Sequence, residues 1–407
     1  MSKQIIKKIP GFLLPVIILI LFNSCFIFSA NAQNDSVPAL RTYRVGIFAP
    51  MYLDSIFTPE GTIRFNETIP KFITQGLDFV HGAQIALDSM PVGKENISAF
   101  IYDTKSYTQS VAQLIDSNKL DTLDLIIGSV KDADFKQLAD FALAKKIPFI
   151  SATYPNDGGI VANPYLVVVN STLKAHCEAI YSYLLQNHGT DLIYLCRQPG
   201  SQEDIVASYF TNLNEQDGKA LLDIQIVNFD SNISPSVLQE KLDSNRQSVI
   251  IGGSLDETFA GKLTTACFEL QQSYPITLLG MPNWDNFRAL MKKDSYTDFP
   301  VYVTTPYFNN KWDVFSKMVS TAYSSKYKGR AGDMVFKGFE CTHLFIKLLV
   351  KYPNNMMAHL NDKNLKVFSD YNFRPIFLNK GVAIADYYEN KHLYFIKIMN
   401  GTVTKAW

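Results

Sequence analysis

Several runs in this chain carry aliphatic residues up to an abrupt stop at small, polar or glycine positions. "DLIIGSVKDADF" (residues 124–135) and "IPFISATYPND" (residues 147–157) do so, and the stretches "GSVKD", "SATYP", "GGSLDE" and "GMPNW" share the form. In parallel α/β sheets, ligands bind at the carboxyl ends of strands, where backbone N–H groups and the positive end of the next helix are presented. Ser129, Ser151, Thr153 and Ser254 supply short hydroxyls at such ends, Ala152 sits between two of them, and the adjoining glycines let a ligand approach the backbone. Tyr154 and Trp284 are suited to covering an apolar or ring-bearing group. Asp103, in "FIYDTKS", adds a carboxylate, and Arg197, after "LIYLC", adds a cation that suits a carboxylate or phosphate. Each has a plainer use: every βα loop needs turn residues, Asp103 can cap a helix, and Arg197 can be a solvated loop residue. The sharper expectation is that these ends converge on one crevice.

Catalytic signatures are missing from the sequence. H-E-x-x-H, G-x-x-x-x-G-K-[ST], G-x-S-x-G and a G-x-G-x-x-G after a strand do not occur. The histidines are scattered and the carboxylates pick out no acid/base pair, so no metal, cofactor or catalytic residue is expected. Lys+Arg and Asp+Glu balance at 38 each, which argues against a nucleic-acid partner.

The opening residues combine Lys3, Lys7 and Lys8 with an apolar run and end in Ala30-Asn31-Ala32, the form of a secretory signal peptide over 1–32. A membrane anchor, or lipidation at Cys25 after "LFNS", is the lesser alternative; the expected location is periplasmic. Cys177, Cys196, Cys267 and Cys341 lie in apolar surroundings without a C-x-x-C, and are expected to be buried thiols without a structural disulfide.

Positioning falls to alternating elements. Ten apolar runs, from "YRVGIFAP" to "VYVTTP", lack two-residue alternation, as parallel strands covered on both faces do. Between them, "QGLDFVHGAQIALDSM" and "DADFKQLADFALAKK" have helical spacing, the latter with Asp132 or Asp134 as its N-cap. The alternation predicts an α/β protein, and ten strands exceed a comfortable single sheet, so two lobes are expected. After a long helical region, the C-terminal residues read as strands with turns at Asn379-Lys380-Gly381, Glu389-Asn390-Lys391 and Asn400-Gly401.

With "VGIFAP", "FVHGAQIALD", "DLIIGSV", "IPFISATYP" and "GDMVFKGFECTHLF", the chain from about Tyr43 onward resembles the type I periplasmic binding proteins, in particular the branched-chain amino acid receptors of ABC importers. The resemblance implies two Rossmann-like lobes with parallel sheets, joined by three crossovers and closing on a small ligand. After a linker at 33–42, lobe 1 would take 43–166 and 306–372, and lobe 2 would take 167–305 and 373–407. Gly128 and Ser129 match the family's carboxylate-holding loop, although Asp132 and Asp134 follow where an anion should sit. Ser151-Ala152-Thr153 keep the next small-residue loop. Ser254 and Leu255 replace an aromatic after "GG", and the acidic partner of a ligand amine falls near Asn283 and Asp285. The architecture is kept while the amino acid signature is mostly lost.

The resulting expectation is an exported, non-enzymatic binder of a small polar, amino acid-like ligand, with an ABC transporter permease or an envelope protein as partner and an open oligomeric state. Its expected ligand residues are Ser129, Ser151, Ala152, Thr153, Ser254 and Trp284, with Asp103 and Arg197 behind them. The alternative is an envelope interaction protein on the same fold, such as a regulator of peptidoglycan synthesis; a hydrolase on the same sheets is a weaker third.

Overall fold

The computed structural model describes residues 41–65, 69–90, 96–230, 233–379 and 381–407. The expected leader and the Cys25 site lie outside them. All ten predicted strands form. The chain runs β1 (Thr42–Ala49), the helical turn α1 (Leu53–Ile56), α2 (Lys71–Asp88), β2 (Asn96–Asp103), α3 (Val111–Asp116), β3 (Leu125–Gly128), α4 (Asp132–Lys145), β4 (Phe149–Ser151) and β5 (Leu166–Val168). It continues through α5 (Leu173–Asn187), β6 (Leu192–Arg197), α6 (Ser201–Asn214), a small hairpin of β7 (Glu215–Gln216) and β8 (Lys219–Ala220), β9 (Ile224–Asn228) and α7 (Pro235–Gln239). Then come β10 (Ser248–Gly252), α8 (Glu257–Leu270), β11 (Ile276–Leu279), β12 (Val301–Thr305), α9 (Val314–Tyr327) and α10 (Asp333–Lys351). The last strands are β13 (Phe373–Ile376), β14 (Tyr387–Asn390), β15 (Tyr394–Met399) and β16 (Thr402–Lys405).

Two seven-stranded sheets result, with orders β13-β14-β5-β4-β3-β1-β2 and β16-β15-β12-β11-β10-β6-β9. Pairing among β1–β5 is parallel, as it is among β6 and β9–β12, whereas β13 and the β15–β16 hairpin join antiparallel. The chain passes between the sheets three times: after β5, after β12 and after β14. These are two doubly covered α/β lobes joined by three crossovers. The sequence reading assigned all of 373–407 to the second lobe; the topology divides that stretch, with β13 and β14 completing the first sheet and β15 and β16 the second.

The continuous apolar runs have a direct explanation in the packing of the first sheet. Leu125, Ile127, Ile150 and Val167 face one core shared with α2 and α10, while their neighbours Ile126, Phe149, Leu166 and Val168 face the other, shared with α4. A strand buried on both sides needs an apolar residue at every position. At the C-terminus, Asn400 and Gly401 take φ of 51° and 69°, the left-handed pair that a tight two-residue hairpin requires. Asp132 and Asp134 do not cap α4: Lys131 occupies the cap position without a side-chain bond, and Asp134 instead accepts from Lys105 Nζ at 2.7 Å. Cys177, Cys196, Cys267 and Cys341 are buried free thiols, and burial pushes those of Cys177 and Cys196 up to about 12.

One helix crossing sets the position of α10. A Cβ on Gly82 of α2 would lie 1.9 Å from the Val335 carbonyl oxygen, and one on Gly338 of α10 would lie 2.0 Å from that of Phe79. The two backbones touch because neither glycine carries a side chain. Gly338→Ala should therefore force the helices apart and lower the unfolding free energy by about 1–3 kcal/mol. Urea unfolding of the variant measures this; an unchanged midpoint would mean that the crossing is looser than the contact distances imply.

Candidate functional site

The carboxyl ends of the parallel strands in both sheets surround a cavity of 390 Å³. The first lobe contributes Pro155 and Asn156 from the loop after β4, and Lys337 from α10. The second contributes Leu255 after β10, Asn283 and Asp285 from the 3-10 turn after β11, and Gln202 at the start of α6. Crossover residues Asn170, Ser171, Pro306 and Tyr307 form its back. The cavity therefore lies at the junction of the lobes, where both sets of strands end.

None of the expected site residues lines this cavity: Ser151, Ala152, Thr153, Ser254, Trp284 and Arg197 belong to strand ends and loops whose neighbouring residues do, whereas the loops that follow β2 and β3, with Asp103 and Ser129, contribute no lining residue. Ser129 Oγ and Thr153 Oγ1 are 3.0 Å apart and bond to each other, so each hydroxyl already has a partner. Ser151 is fully buried, and its hydroxyl has no hydrogen-bond partner. Ala152 is also fully buried, and its carbonyl accepts the Tyr307 hydroxyl. Ser254 donates to Glu203 Oε1 at 2.6 Å and accepts from the Asp256 N–H at 3.1 Å, which ties it into its own loop. Asp103 accepts four backbone N–H groups, from Met51, Tyr52, Leu53 and Lys105, at 2.7–3.1 Å. It fastens the α1 turn to the end of β2, and so neither faces the cavity nor caps the following helix, α3, whose N-cap is Ser110. Arg197 pairs with Asp204 on α6.

Trp284 corrects the reading most clearly. Its side chain is fully buried in the second-lobe core, and its Nε1 donates to the Ser254 carbonyl at 2.9 Å. A Cβ at Gly252 would meet its ring at 2.3 Å, and one at Gly280 at 2.4 Å. These two strand-end glycines make room for an indole beneath the loops rather than for a ligand above them. Burial also holds Asn283 and Asp285, on either side of the tryptophan, at the cavity wall.

Among the cavity-lining residues Asp285 and Lys337 are the two with charged side chains. Burial pushes the Asp285 carboxyl up to about 6, an effect reinforced by Asp333 and opposed by Lys337 and Asn286. Burial likewise lowers the Lys337 ammonium, against the attraction of Asp333 and Asp285. The ammonium lies 4.3 Å from the centre of the Tyr307 ring, a cation–π contact. Asn283 donates to the Leu255 carbonyl at 2.8 Å, while its buried Oδ1 has no partner. The cavity thus presents an acid, a base and an open acceptor. Asp285 had been singled out in the sequence; Lys337 had not. Its signal was a lysine inside the otherwise apolar run "MVFKGF" of a buried helix.

His176, also at the cavity, is 2% exposed, and its Nδ1 lies 2.7 Å from Thr304 Oγ1. Burial lowers its pKa to about 3, so the ring is neutral at physiological pH. Among the described residues no cluster of His, Cys, Asp or Glu is arranged to hold a metal ion, and no helix is long and apolar enough to cross a membrane.

The sequence profile of the family described as periplasmic binding protein matches residues 72–365. Among curated proteins none matches the sequence. Three solved structures share the architecture. A branched-chain amino acid ABC transporter periplasmic ligand-binding protein from Burkholderia xenovorans superposes with a TM-score of 0.58 at 13% identity, over 90% of this chain and 94% of its own. An ABC transporter substrate-binding protein from Desulfitobacterium hafniense, in complex with Leu, gives 0.54 at 12%, over 90% and 100%. The branched-chain amino acid transporter substrate-binding protein of Streptococcus pneumoniae, in complex with isoleucine, gives 0.51 at 15%, again over 90% and 100%. At these identities the likeness is one of fold.

The burial of Trp284 yields a stability test. Trp284→Ala removes a fully buried indole and leaves the Ser254 carbonyl without its donor, for an expected loss of about 3–5 kcal/mol. A chemical-denaturation midpoint close to wild type would return Trp284 to the cavity surface.

Proposed function

Because the chain belongs to the periplasmic binding protein family, we propose that it captures a small zwitterionic, amino acid-like solute between its lobes and binds it without turnover. The observation that carries this reading is the placement of Asp285 and Lys337 on opposite lobes of one cavity. A ligand ammonium meets the Asp285 carboxylate, and a ligand carboxylate meets the Lys337 ammonium. Asn283 Oδ1, buried without a partner, accepts a further N–H from the ligand. Contacts from both lobes favour the closed arrangement by the extra interactions made there. Delivery to the membrane subunits of an ABC importer is the role proposed for the loaded protein, on the strength of its family and of what its structural neighbours are described as doing. An export leader at 1–32 would bring it to the periplasm.

Two substitutions test the pair by isothermal titration calorimetry against a panel of free amino acids. Asp285→Asn and Lys337→Met should each weaken the best ligand by at least tenfold, since each leaves one end of the zwitterion unpaired. Affinity unchanged in both variants would remove the pair from the site.

A pH dependence follows from the same carboxyl. With Asp285 titrating at about 6, its charged form is the minority at pH 5, so affinity should fall about tenfold between pH 7 and pH 5. Stability runs the other way. The native state holds a proton on Asp285 between about pH 4 and 6 that the unfolded chain does not, so the group costs stability above that window. Asp285→Asn should therefore stabilise the unliganded protein at pH 7, by about 1–2 kcal/mol after allowing for solvent access. A thermal scan showing the variant less stable than wild type would contradict the buried-charge account.

A further inference from the structure

The cavity holding Asp285 and Lys337 has a neighbour. A second chamber of 610 Å³ is lined by four of the same residues, Pro155, Asn156, Leu173 and Gln202, so the two meet along a shared wall. The second chamber also lies between the lobes. Ile205 and Tyr209 of α6 form one side; the end of β13 and the following Phe377 and Leu378 form the other.

Its surface differs in kind from that of the first chamber. The acidic residues and Lys391 within it are already engaged: Lys391 binds Glu178 at 2.8 Å and Glu389 at 2.6 Å, and the Tyr387 hydroxyl donates to Asp157 at 3.0 Å. The rim is apolar and open to solvent, with Ile205 43%, Phe377 49% and Leu378 44% exposed. Exposed apolar side chains scattered singly need no explanation, but three that ring one concavity continuous with a binding cleft do. Asn156 and Gln202, where the chambers meet, carry the donor and acceptor of a side-chain amide.

We infer that the cleft is built for a ligand longer than a free amino acid: a short apolar peptide, whose first residue occupies the first chamber, its ammonium toward Asp285 and its first peptide carbonyl oxygen toward Lys337, and whose further apolar side chains lie in the second. The amide groups at the shared wall match a peptide backbone; beyond it Lys391, Glu178 and Glu389 are paired with one another, leaving apolar contact with the rim and the exposed Lys174, which suits the peptide's carboxyl end, as the available interactions. Liquid water occupies about 30 Å³ per molecule, so 610 Å³ corresponds to roughly twenty waters available for displacement. This inference rests on the reading of the first chamber as a solute site, and the experiment separates the two.

The test is calorimetric titration of the full chain with leucine, leucyl-leucine and trileucine, for wild type and for Ile205→Asp, a change at an exposed position that folding should tolerate. The expected result is trileucine binding at least tenfold tighter than leucine in the wild type, with that gain lost in Ile205→Asp. Equal affinity for leucine and trileucine, or a peptide gain that survives the substitution, overturns the inference while leaving the first chamber as a free amino acid site. Failure of all three ligands to bind overturns the peptide inference, and the reading of the first chamber falls with it only if no free amino acid of the panel binds either.

Discussion

The buried hydrogen bonds that tie the three crossovers together are the constraint on which the site depends. Ser171 Oγ donates to the Asn390 carbonyl at 2.6 Å, and the Thr172 N–H donates to Glu389 Oε1 at 2.8 Å, joining the first crossover to the third. His176 bonds Thr304 at the end of β12, and Tyr307 reaches from the second crossover to the Ala152 carbonyl at the end of β4. Ser171, Thr304 and Asn390 are fully buried, where such bonds are strong and an unmade one is expensive. A neutral His176 adds no charge to a junction where Glu389, buried and paired with Lys391, already supplies one. The part of the cavity formed by Pro155, Asn156, Asn170, Ser171, Thr305, Pro306 and Tyr307 lies within a few residues of these bonds, so that side of the cleft is held in place where the chain crosses.

The same junction explains why the sequence disclosed the architecture more readily than the site. Parallel strands covered on both faces leave a local signal, an unbroken apolar run, and all ten were readable. The Asn400-Gly401 turn was readable because a left-handed pair selects those residue types. Partners are another matter. β13 and β14 look like strands of either lobe, and only the tertiary position of β5, to which β14 pairs, decides their sheet. Alternation and turn chemistry carry no such information.

At the strand ends the limit is geometrical. Three of the four loops chosen from sequence, those after β4, β10 and β11, contribute to the cavity and the one after β3 does not; within each loop a residue points either up toward the cavity or down into the core. Gly252 and Gly280 read as ligand approaches, yet the neighbour that selects for glycine is Trp284, packed beneath them from a turn more than thirty residues after Gly252 in one case and four after Gly280 in the other. Ser129, Thr153 and Ser254 are held by partners on separate segments. Lys337 reaches the cleft because Gly82 and Gly338 let α10 settle onto α2, a contact that no local window of sequence contains.

The electrostatics of the cleft give that packing its consequence. Burial drives Asp285 toward its protonated form and Lys337 toward its neutral one, yet among the described residues no direct ion pair joins them. A closed pair would satisfy both groups and leave little for a ligand to gain. On opposite lobes, neither has a salt bridge among the described residues, and under the proposed reading a zwitterion that supplies both charges would relieve both at once. An ammonium alone would serve Asp285 while adding repulsion to Lys337, and a carboxylate alone would do the reverse. The separation of the two charges, fixed by a glycine-mediated helix crossing on one side and a buried tryptophan on the other, is what makes the proposed ligand one that carries both signs.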